Sequence, residues 1–75
     1  MNFDAAKVVP LVVGLSLRQR QVLIQMGRCR SEKEIAETLK ISQMTVHSHK
    51  QDLYQRLGIR DKAEAALVAR EAKLV

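Results

Sequence analysis

Met44, His47, Ser48, Gln51 and Gln55 recur at the spacing of a single helical face. At about 100° per residue they fall together, with Val46, Leu53 and Leu57 on the opposite side. The chemistry open to such a set is hydrogen bonding to a shaped partner rather than bond making. A merely solvated face more often mixes Glu with Lys, whereas this one carries no acid of its own and has cations close by. Short donors and acceptors of this kind suit the edges of bases in a duplex groove. His47, Ser48 and Gln51 are the expected base readers: Gln51 can pair bidentately with adenine, and His47 can donate to a guanine acceptor. Met44 would touch a thymine methyl or only shield the turn. For this stretch taken alone, an ordinary exposed helix face is the plain alternative.

Catalysis and metal binding find little support. His47 and His49 are two residues apart, which places them far apart around a helix. The single cysteine, Cys29, lies in another segment and has no base and acid paired with it in sequence. No Gly-rich phosphate loop is present, and the Ser, His and Asp residues are accounted for by helix caps and the groove face. The expectation is no enzyme, no cofactor and no metal. His49 lies at the edge of the apolar side and is expected to pack or hydrogen-bond in support.

The reader face needs elements to hold it. Ser16-Leu17-Arg18-Gln19 has the pattern of a capping box, in which a serine oxygen and a Gln side chain satisfy each other's free amides. The helix it opens carries Val22, Leu23 and Met26 as its apolar stripe and stops near Gly27. Ser31-Glu32-Lys33-Glu34 is a second such box, opening a helix to about Leu39 with Ile35, Ala36 and Leu39 inward. After the short break Lys40-Ile41-Ser42, Ser42 caps the helix that bears the reader face, and Ile41 can staple onto Val46. Two helices joined by so short a turn have the connection of a helix-turn-helix, whose second helix enters the major groove. Gly58 suits a left-handed stop, and Asp61 caps a fourth helix, Ala-rich from Ala63 to Ala72. The fold class predicted is all-α: a four-helix helix-turn-helix domain made of a trihelical core plus a C-terminal helix. Residues 15–75 form this domain. Residues 1–14, interrupted by Pro10 and Gly14, form a linker, a packed arm or a partner-contact segment.

Charge and length bound the rest. Seventy-five residues make one domain with a small core, and the net charge is +5. Arg18, Arg20, Arg28 and Arg30 lie in a stretch with no acid, whereas residues 61–75 balance to zero. A local excess of arginine beside a polar helix points to a polyanionic partner. Lys33, Thr45, Lys50 and Arg56 are the phosphate candidates, joined by the helix amino ends at Ser31 and Ser42. Apolar residues on more than one face of the last helix, Ala65, Ala66, Ala69 and Ala72, suggest a homodimer contact, unless alanine is there only as a helix former. One cysteine fits a reducing compartment. No apolar run approaches a membrane span, so no membrane association is expected. The expected place is the cytoplasm, on the nucleoid when bound.

The residues now carry a resemblance. Leu15-Ser16-Leu17-Arg18-Gln19-Arg20-Gln21-Val22-Leu23 resembles the Leu-Thr-x-Arg-Glu-x-Glu-Val-Leu opening of the LuxR/GerE-type DNA-binding domain. Lys33-Glu34-Ile35-Ala36 resembles its second helix. Ile41-Ser42-x-x-Thr45-Val46-x-x-His49 resembles its recognition helix, and Leu57-Gly58-Ile59 with Glu64-Ala65 its closing segment. The match runs from Leu15 to Val75 without an insertion. Gln19 stands where the family usually has Glu, Cys29 where Gly is common, His47 where Lys or Arg is common, and Lys50 where an aliphatic residue is frequent. The resemblance implies a bacterial transcriptional regulator that binds double-stranded DNA as a dimer, commonly through the last helix. In the family this domain usually sits at the C-terminus of a larger regulator, although short members exist. It also places His47, Ser48 and Gln51 on base-contacting positions. Two other readings stay open: a protein-interaction module using the fourth helix and the N-terminal arm, and a sigma-factor-like promoter-recognition domain that would contact RNA polymerase.

Overall fold

The computed structural model describes residues 3–75, which are helical throughout apart from turns and short connections. A short helix α1 (Ala5–Val8) leads into a 3-10 segment (Val9–Gly14). Then follow α2 (Leu17–Gly27), α3 (Glu32–Leu39), α4 (Gln43–Leu57) and α5 (Lys62–Glu71).

The helix starts are set by side-chain caps. The Ser16 Oγ accepts from the Gln19 amide at 3.1 Å, and the Gln19 Oε1 accepts from the Ser16 amide at 3.0 Å. Ser31 and Glu34 form the same reciprocal pair, at 3.1 and 2.9 Å. Ser42 accepts from the Thr45 amide, and Asp61 from that of Glu64. Each cap satisfies an amide that has no partner within its helix, worth about 1 kcal/mol.

The helix ends turn on left-handed residues. Lys40 takes φ 59° after α3, and the Ile41 amide returns to the Ala36 carbonyl at 3.1 Å. The chain then re-enters a helix after only Ile41 and Ser42. Gly58 takes φ 66° after α4, and the Ile59 amide returns to Tyr54 at 3.0 Å. Both follow the pattern in which a returning amide covers carbonyls at the end of a helix. Cys29 also sits at φ 62°, in the turn between α2 and α3. A left-handed backbone explains why glycine is common at its place in the resembling family.

The core is aliphatic. Val22, Leu23 and Met26 of α2 meet Ile35 and Ala36 of α3, Val46, Leu53 and Leu57 of α4, and Ala65, Val68 and Ala69 of α5. Helix α2 packs on both α4 and α5, and α3 packs on α4. At the α2–α5 crossing the backbones approach closely. A Cβ built on Gly27 would lie 2.7 Å from that of Ala69.

The described part of the N-terminal segment is folded onto this body. Asp4 caps α1, which packs on α5, and Val12 and Leu15 join the core. The Arg56 Nη1 donates to the Gly14 carbonyl at 3.0 Å and ties the segment to α4. Met1 and Asn2 lie outside the described residues. No helix among the described residues is long and apolar enough to cross a membrane.

Candidate nucleic-acid interface

Helix α4 is two-sided. Val46, Leu53 and Leu57 are buried, while Met44, His47, Ser48, Gln51 and Gln55 are all exposed. Met44 is 84% exposed. His49 is half-buried at the margin of the two sides. Helix α3 and the three-residue turn set how α4 projects, because Ile35 and Ala36 are buried beneath it and Ile41 packs on the core.

One acid reaches this face from outside α4. Glu32, in the first turn of α3, accepts from the His47 Nδ1 at 3.2 Å through its Oε2. The Lys50 ammonium pairs with the same oxygen. The hydrogen bond from Lys50 comes first in holding the Glu32 carboxyl below the ordinary glutamate range; partial burial opposes it, and His47 adds to it. On the far side of the imidazole, the Gln51 Nε2 lies 3.5 Å from the His47 Nε2. Sequence reading missed Glu32 as part of the surface. It stands 15 positions from His47, and in sequence it read only as part of the Ser31–Glu34 capping box.

The phosphate candidates divide. Lys33 is exposed on α3. Lys50 is only 22% exposed in its side chain and is committed to Glu32. Arg56 is exposed but committed to Gly14. The Thr45 hydroxyl lies 2.8 Å from the Ser42 hydroxyl, so Thr45 and Ser42 form one pair at the start of α4. Ser31 and Ser42 both use their oxygens on the amides behind them. Arg30 lies 4.0 Å from Glu34, an exposed pair of small energetic weight.

The expected contact set on the last helix needs correction. Ala65 and Ala69 are 0% exposed. They face inward because α5 packs its small residues against α2, so neither presents a side chain to a second copy. Ala66 and Ala72 are half-buried, and the outward side of α5 carries Leu67, 44% exposed, and Arg70. Among the described residues, no group of three or more His, Cys, Asp or Glu side chains could hold a metal ion.

The sequence profile of the bacterial regulatory proteins of the luxR family (GerE) matches residues 13–69, which contain the whole helix-turn-helix. The chain belongs to the LuxR family. Among its relatives is YhcZ of Bacillus subtilis, an uncharacterized transcriptional regulatory protein, 40% identical over 55 residues, or 73% of this chain and 26% of YhcZ. A second is NarL of Mycobacterium tuberculosis, named as a probable transcriptional regulatory protein, 38% identical over 71 residues, 95% of this chain and 32% of NarL. The oxygen regulatory protein NreC of Staphylococcus aureus is 34% identical over 74 residues, 99% of this chain and 34% of NreC. The chain thus spans about a third or less of these curated relatives. LuxR-family membership makes this a helix-turn-helix domain of DNA-binding transcription regulators.

Proposed function

We propose that this chain binds double-stranded DNA sequence-specifically and regulates transcription, with α4 in the major groove. The observation that carries the reading is the two-sided α4: an exposed row of Met44, His47, Ser48 and Gln51 backed by fully buried Val46 and Leu53. Ser48 and Gln51 meet base edges, His47 lies beside them, and Met44 reaches a thymine methyl. Lys33, Thr45, Lys50 and Arg56 meet phosphates, together with the helix amino ends at Ser31 and Ser42. Lys50 must exchange Glu32, and Arg56 the Gly14 carbonyl, for a phosphate oxygen.

In this reading two copies bind a two-fold related site with half-sites about one helical turn apart. The surface that α5 has left for self-association is Ala66, Leu67, Arg70 and Ala72, since Ala65 and Ala69 are internal. A protein-interaction role rests on a different observation. Leu11, Val13 and Leu17 are exposed apolar side chains, at 49%, 80% and 72%, that the duplex reading does not use.

The test is selection of bound duplexes from a random pool, followed by a salt titration of the winner. A two-fold related consensus is expected, with log affinity falling against log salt at about −0.9 per neutralised phosphate. Binding that shows no sequence preference and no salt dependence overturns the reading in favour of the interaction module.

A further inference from the structure

Resting on the duplex-binding reading, we infer that Glu32 and His47 are positioning residues that orient the Gln51 amide and so bias it toward adenine. An ionised carboxylate only accepts, so the His47 Nδ1 at 3.2 Å must carry the proton. In the free chain Lys50 shares the same oxygen, and the carboxylate keeps His47 as its partner when Lys50 turns to a phosphate. In a neutral imidazole protonated at Nδ1, Nε2 is a lone-pair acceptor.

Gln51 stands one turn further along α4, with its Nε2 at 3.5 Å from that acceptor. Only the amide nitrogen satisfies a lone pair; the amide oxygen there would set acceptor against acceptor. The nitrogen therefore turns toward His47 and uses one of its two hydrogens. The second hydrogen and Oε1 stay free on an exposed side chain. One donor beside one acceptor is the pattern that meets N7 and the N6 amine of adenine. With the proton on the His47 Nε2 instead, the amide turns over. It then offers two outward hydrogens, which suit guanine or thymine acceptors. At 3.5 Å the contact is long, so the relay biases the amide without locking it. His47 accordingly acts through Gln51 and takes no base of its own, unlike the guanine contact expected from sequence. The charged groups that meet His47 are Glu32 from α3 and, through that carboxylate, Lys50.

The experiment uses the 75-residue chain, its Glu32→Ala and Glu32→Gln variants, and Gln51→Ala to mark the base position that Gln51 reads. Nitrogen-15 spectra of His47 at mildly alkaline pH, where imidazole is neutral, report the tautomer without DNA. Duplex selection reports the base. The wild type is expected in the Nδ1–H form, and Glu32→Gln, whose amide can present either atom, in a mixture of the two forms. The wild type should prefer adenine at the marked position by at least about fivefold, the lower end of a bidentate contact. Glu32→Ala is expected to move to the Nε2–H form and to fall to about twofold or less while still binding duplex. Affinity is not the readout, because the alanine variant also frees Lys50. A wild-type Nε2–H tautomer, or an adenine preference that survives Glu32→Ala, overturns the inference and leaves the duplex reading standing. A wild type that selects no duplex overturns both.

Discussion

Single residues on this chain act through the partners that the fold supplies. Gln51 is exposed and packs on nothing in the core, so Gln51→Ala should leave urea unfolding unchanged. It should lower discrimination at one base position by about 1–3 kcal/mol, as measured by competition between matched and mismatched duplexes. A uniform loss across all sequences would instead mark Gln51 as a phosphate contact. Cys29 presents a different case. Its backbone stands at φ 62° and its side chain is exposed, so it bears a conformational cost with little packing in return. Cys29→Gly is expected to raise stability by up to about 1 kcal/mol, seen as a higher midpoint in chemical denaturation. Lowered stability would show that the thiol makes a contact worth more than the strain.

Among the elements, α5 shows how an apolar sequence can be spent on the inside. Ala69 faces α2, where the backbone at Gly27 comes so near that only a small side chain fits between them. Ala69→Glu would bury a charge with no counterion and should unfold the chain. Leu67→Glu, at a half-exposed site, should leave the circular dichroism unchanged and weaken self-association in sedimentation. If Leu67→Glu has no effect on association, α5 is not the self-contact surface. Helix α3 has two tasks: its Ile35 and Ala36 are buried beneath α4, and its first residue reaches across to the polar face of α4.

For the whole molecule, electrostatics sets a pH limit. Glu32 is held below the ordinary glutamate range mainly by Lys50, and Glu34 mainly by the Ser31 amide that donates to it. A carboxyl whose folded value is depressed adds stability above its unfolded value, near 4.5, and loses it as the pH falls through the folded value. Urea midpoints should therefore be level from about pH 7 to 5 and decline below about pH 4.5. The growing positive charge of an already basic chain steepens that decline. Glu34→Gln keeps an acceptor for the cap but cannot titrate, so it should remove part of the acid decline. An unaltered acid limb in that variant would show that the cap makes no difference between the folded and unfolded carboxyl.

Much was legible in the residues because it is local. Capping boxes at Ser16 and Ser31, the caps at Ser42 and Asp61, the stop at Gly58 and the apolar stripe of α4 all act within a few positions, and the sequence alone determined them. The exposed polar row of α4 follows from the same periodicity. What lies far apart in the chain was decided by tertiary structure. The packing of α5 on α2 turned Ala65 and Ala69 inward, where composition allowed either side. The segment before Leu15 became part of the body through Val12, Leu15 and the Arg56–Gly14 bond. The approach of α3 to α4 brought Glu32 to His47 and Lys50, placing an acid beside His47 that lies 15 positions away in the chain. Helical spacing specifies which way a side chain points, whereas what it meets there depends on how the helices cross.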